Sequence, residues 1–152
     1  RRARHDPADN QSITSRQVTL MRPVKTFASS FADPKDVAAF AACKATGKTD
    51  GQCFKVGDNG IGCWGHTTAQ TRVPMCALPP EDIRARWGSV NKGKEKIVCV
   101  TVRKVSVLCV LADRMPSKKN ITNGCGIDLN PAAAAALKLK PPFKAACEWQ
   151  WV

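Results

Sequence analysis

The chain has 152 residues, with 24 Lys+Arg against 12 Asp+Glu for a net charge of +12, and 43% apolar residues. That length and apolar content suit one domain with its own core and exclude disorder throughout. No apolar run is long enough to cross a bilayer, so an integral membrane protein is excluded.

In chain order, residues 1–25 are polar and aperiodic and read as a flexible basic tail, followed by a folded domain over residues 26–152. The chain begins Arg1-Arg2-Ala3-Arg4 with no apolar signal core; if it is exported, the signal has already gone or the sequence starts after it. Thr26 to Phe31 reads as a strand. Asp33 then caps a helix with Pro34 in its first position, Val37, Phe40, Ala41 and Lys44 give it an amphipathic pattern, and Gly47 stops it. Cys43, near the apolar edge, is expected to tie this helix to a later strand.

Cys53 to Gly65 holds glycines at 57, 60, 62 and 65, too many for a regular element. They suggest tight turns or a close backbone approach to a ligand. No Gly-Lys-Ser/Thr follows, so it is not a phosphate-binding loop. Asp58 in this loop is a candidate acidic group, although Asp58-Asn59-Gly60 also suits a plain turn. Trp64 is a candidate for stacking on a sugar face, and His66 for a further substrate contact. A Cys63–His66 nucleophilic pair is outweighed by the expectation that Cys63 is bridged.

Pro80 to Trp87 reads as a short helix with Glu81 and Asp82 in the first turn, where they suit its dipole. Lys96 to Val102 and Val105 to Ala112 are β-branched runs around Arg103-Lys104, an antiparallel pair. Val107 to Leu111 leads to Asp113-Arg114-Met115-Pro116 and a polar loop carrying Lys118, Asn120 and Gly124. Ile127-Asp128-Leu129 resumes the apolar pattern, with Asp128 expected to bond nearby loop N–H groups. Asn130 caps a helix with Pro131 in its first position and an alanine run behind it. Phe143 to Val152 alternates as one half-buried strand, which makes Trp149 and Trp151 packing residues of the core or sheet wall rather than a substrate platform.

Asp113 therefore leaves a buried strand for an open basic loop, where a carboxylate is desolvated on one side and still accessible. Arg114, Lys118 and Asn120 are candidate substrate contacts. The eight cysteines (Cys43, Cys53, Cys63, Cys76, Cys99, Cys109, Cys125, Cys147) form no C-x-x-C pair and no zinc spacing. Their even number predicts four disulfides in an oxidising compartment, hence a secreted or periplasmic protein without metal or cofactor. The positive charge calls for an anionic partner. No helix-turn-helix, basic zipper or RNA-recognition sequence is present, so nucleic acid is disfavoured. A cell-wall polysaccharide or another anionic glycan satisfies the same electrostatics, bound by a monomer.

The order strand, Asp113-Arg114-Met115-Pro116, loop with Asn and Gly, Ile127-Asp128-Leu129-Asn130, alanine-rich helix resembles the rare lipoprotein A family. Phe27-Ala28-Ser29-Ser30-Phe31 and Ala77-Leu78-Pro79 extend the match upstream, while Met75 stands where that family carries a histidine. The resemblance implies a mainly-β fold, a small six-stranded double-psi β-barrel with short helical insertions and disulfides, shared with expansins and barwin-like proteins. It implies a glycan-cleaving, lytic transglycosylase-like activity with Asp113 as general acid/base; an inverting hydrolase would need a second carboxylate to activate water, and Asp58 is the candidate for it. The alternative it implies is a non-catalytic carbohydrate binder.

Overall fold

A computed structural model describes residues 22–152; most of the expected tail, with His5, lies outside the described residues. The elements are β1 (Val24–Ser30), α1 (Pro34–Ala45), α2 (Asp50–Cys53), β2 (Met75–Leu78), α3 (Pro80–Trp87), β3 (Ile97–Val102), β4 (Val105–Arg114), β5 (Cys125–Leu129), α4 (Pro131–Ala136) and β6 (Lys144–Trp151). The six strands close into a barrel in the order β1-β5-β2-β4-β3-β6. Two pairings are parallel, β1 with β5 and β2 with β4, and the other four are antiparallel. Exchanging β1–β3 for β4–β6 leaves this pairing pattern unchanged, so the halves interlock about a pseudo-twofold axis, as a double-psi barrel requires. Among the described residues no helix is long and apolar enough to cross a membrane.

The strand patterns explain the core. Along β3 the residues alternate between half-buried and fully buried, and Val98, Val100 and Val102 point inward. β5 sends Cys125, Ile127 and Leu129 inward, and β6 sends Cys147 and Trp149. Leu78, Ile83 and Leu111 complete a fully buried centre. Each such side chain contributes about 1.5–3 kcal/mol relative to exposure. Trp151 packs edge-on against both Trp149 and Trp87.

The cap at Asn130 forms as expected, and it does more than start α4. Its Oδ1 accepts from the Ala133 N–H at 3.0 Å and from the Met75 N–H at 2.8 Å. Its Nδ2 donates to the Thr68 and Val73 carbonyls, both at 3.1 Å. One fully buried amide thus joins β2, α4 and the preceding loop. Asp33 behaves differently from expectation. It stands at the N-cap of α1 but makes no side-chain cap bond; its Oδ2 accepts from Ser30 Oγ at 2.6 Å, and its buried Oδ1 has no partner.

The β3–β4 hairpin turns on Arg103 and Lys104, with φ of 47° and 68°. Two consecutive left-handed residues make the tight hairpin turn that Asn-Gly ordinarily fills. Long side chains there cost roughly 1–2 kcal/mol each.

The expectation of four disulfides is corrected. One bridge forms, Cys43–Cys53, and it joins α1 to the adjacent α2 rather than to a strand. Cys63, Cys76, Cys99, Cys109, Cys125 and Cys147 are free thiols. Cys76, Cys109, Cys125 and Cys147 are buried in the strands, where they act as small apolar fillers in a barrel already held by its hydrogen-bond ladder.

Candidate functional site

The site develops at one end of the barrel, where β4 and β5 flank β2. Ala77 is the register partner of both Asp113 and Asp128, so those backbones stand two strand spacings apart, roughly 9–10 Å. An irregularity in the β2–β4 register, where the partners step from Leu111 to Asp113, turns the end of β4. The glycine loop lies over it. A Cβ on Gly62 would stand 2.1 Å from the Ala112 carbonyl oxygen, and one on Gly57 would stand 2.2 Å from the Asp36 carbonyl oxygen in α1. The close approach anticipated for these glycines is thus to the protein's own backbone.

Asp113 is held by this loop. Its Oδ1 accepts from the Cys63 N–H at 3.0 Å and from the Arg114 N–H at 2.8 Å. Desolvation nevertheless raises its pKa, the bonds from Arg114 and Cys63 oppose that rise, and the Asp58 charge adds to it. Asp58 forms the turn that the sequence allowed: its Oδ1 accepts from the Gly60 N–H at 2.6 Å.

Asp128 bonds a strand neighbour rather than loop N–H groups, accepting from Ser29 Oγ at 2.5 Å. Burial pushes its pKa up to about 6; the Ser29 bond opposes this, and the charges of Asp113, Asp33 and Asp58 reinforce it. Asp33 is also raised, by burial first and then by Asp36 and Asp58. Four carboxylates therefore act on one another at this end of the barrel. Asp128 and Asp33 escaped the sequence reading of the site. The signal for Asp128 was its outward position between inward-facing Ile127 and Leu129, which gave its direction but not its cover. Among the described residues no group of three His, Cys, Asp or Glu side chains is placed to hold a metal ion.

Among the remaining candidates, Trp64, His66 and Lys118 are engaged by other partners. Trp64 is half-buried against the core, and its Nε1 donates to Asn91 Oδ1 at 3.1 Å. His66 pairs through Nε2 with Glu95 at 2.9 Å, while Cys63 turns to Asp113, so the two form no nucleophilic pair. Burial and the Asp113 charge raise the Cys63 pKa, which disfavours a reactive thiolate. Lys118 Nζ meets Asp82 at 2.7 Å, and its backbone N–H donates to Glu81, so it anchors its loop to α3. Asn120 lies exposed in the same loop and Arg114 is exposed at the end of β4.

No protein-family model matches the chain, and no curated protein matches it. Thirteen chains of solved structures do match. One is the Streptomyces papain inhibitor, with a TM-score of 0.51 and 18% identity over 87% of this chain and 96% of that one. At that identity the likeness is one of fold.

Proposed function

We propose that this chain is a non-catalytic binding protein that recognises an anionic cell-wall glycan from outside the cytosol. The observation that carries this reading is the engagement of Asp113: two backbone N–H groups converge on its Oδ1, and Gly62 is pressed onto the adjoining backbone. A carboxylate so held serves to clamp a loop. Binding a polyanion draws on the net charge of +12, and the Cys43–Cys53 bridge supports an oxidising compartment.

A second reading, a lytic transglycosylase that resembles the rare lipoprotein A family, draws support from the raised pKa values of Asp113 and Asp128. A carboxyl whose burial raises its pKa keeps its proton to higher pH, which favours proton donation to a glycosidic oxygen. Incubation with purified peptidoglycan separates the two. Intact glycan sedimenting with the protein is the outcome expected of a binder. Anhydro-sugar ends mean a transglycosylase, new reducing ends mean a hydrolase, and either would overturn the binding reading. The structural neighbour is named for inhibition of papain, so papain turnover of a peptide substrate serves as a parallel assay for a protein partner, with no inhibition expected.

A further inference from the structure

Away from the carboxylate end, β1, β3, β6 and the β3–β4 turn line an open groove of about 600 Å³ with Lys25, Phe27, Thr101, Arg103, Lys104 and Glu148 among its residues, within the size range of ligand pockets, about 300–1,000 Å³. We propose that this groove is the binding site for a carboxylate-bearing oligosaccharide, a segment of a uronic-acid polymer. The inference deepens the binding reading given above and rests on it.

Three observations carry it. First, the charge is placed at the rim. Arg103 and Lys104 occupy a turn whose left-handed backbone favours Asn-Gly, so the hairpin forgoes its preferred residues to hold two exposed cations at the groove. A guanidinium there forks onto a carboxylate through two parallel N–H bonds. Second, the floor offers sugar-directed chemistry. Lys25 pairs in register with Glu148 and Thr101 pairs with the same Glu148, so a cation, a carboxylate and a hydroxyl lie in one row across three strands. Glu148 is held only by a loose 3.8 Å ion pair with Lys25 and is open to accept from sugar hydroxyls.

Third, Phe27 stays 44% exposed at this groove, an apolar surface for the C–H face of a pyranose. Lys144 Nζ stands 4.9 Å from its ring centroid, a further cation beside this apolar surface. Free ring hydroxyls run along a uronate and are absent from a DNA backbone, so the Glu148 acceptor beside the cations favours a carboxylated saccharide over nucleic acid.

The test titrates the full chain with fluorescently labelled tetragalacturonate, read by anisotropy, beside a neutral tetrasaccharide and a single-stranded DNA of equal charge. The variant R103N/K104G installs the residues this turn prefers, so its melting temperature should hold or rise. Wild type should bind the uronate in preference to both controls, and the variant should bind at least tenfold more weakly. Wild-type binding retained in R103N/K104G would overturn the groove and leave the binding reading standing. Equal or tighter binding of DNA would overturn the saccharide assignment. Failure of the wild type to bind either the uronate or peptidoglycan would overturn both.

Discussion

Replacing Asp128 with Asn should make the protein more stable at neutral pH. The Asp128 pKa rises from 3.8 to about 6 on folding, chiefly through burial. At about 1.4 kcal/mol per pH unit, that rise corresponds to about 3 kcal/mol. A carboxyl whose folded pKa lies above its unfolded value favours the fold fully below pH 3.8, and this contribution is lost as the pH climbs through about 6. Asp33 and Asp113 shift in the same direction. The exposed Glu81 shifts downward, mainly through its bond from Ser117, and acts oppositely, below its ordinary 4.5. Asp128→Asn removes the buried charge and keeps an oxygen to accept from Ser29. Urea unfolding at pH 4, 5, 6 and 7.5 measures the difference between the two proteins, which isolates this residue from the net charge. The curves should nearly coincide at pH 4 and separate by up to about 3 kcal/mol at pH 7.5. At the usual urea sensitivity of about 1–3 kcal/mol per molar, the midpoint difference is about 1–3 M. A variant no more stable than wild type at pH 7.5 would refute the assignment of that cost to Asp128.

Four further outcomes are open to measurement. Gly62→Ala forces a methyl group against the Ala112 carbonyl; it should cost about 1–3 kcal/mol by overpacking and raise proteolysis of the loop around Cys63. Asn130→Ala strips four hydrogen bonds from a buried position and leaves their partners unsatisfied; a loss of about 3 kcal/mol or more is expected, and a smaller one by urea titration would mean water replaces the amide. Thiol titration in denaturant without reductant should find six free cysteines, and none would restore the fully bridged reading. Asp113→Asn keeps an acceptor for the Cys63 and Arg114 N–H groups, so sedimentation with wall glycan should match wild type at each salt concentration and weaken in both as salt rises.

Where structure is set by neighbours in sequence, the residues announced it. The β-branched runs around Arg103-Lys104 became the β3–β4 hairpin, Pro34, Pro80 and Pro131 each opened a helix, and the alternation ending in Trp149 and Trp151 became β6. The resemblance carried from Val107 onward implied the barrel that formed. What eluded the sequence depends on distant partners. Asp33 sits where a capping residue belongs, yet Ser30 takes its carboxylate. Asp128 looked like a loop anchor because nothing local reveals the hydroxyl of Ser29, 99 residues earlier. The cysteine count suggested a scaffold of bridges, whereas the strand ladders turned four of those thiols into core. The groove at Lys25, Phe27 and Arg103 was invisible because β1 meets the hairpin only through β6.

The interlocked halves also govern how the molecule is made. β1 has no partner until β5 arrives about a hundred residues later, and the barrel closes only when β6 slots between β1 and β3. Most stabilising contacts are therefore long-range, which makes for slow acquisition of the native state. A ribosome or translocation channel that still holds the last strand holds an open chain. The α1–α2 bridge, between cysteines 10 residues apart, is the one covalent tie that can form early. Premature termination anywhere before Trp151 should accordingly yield material for quality-control proteases rather than a shortened but working domain.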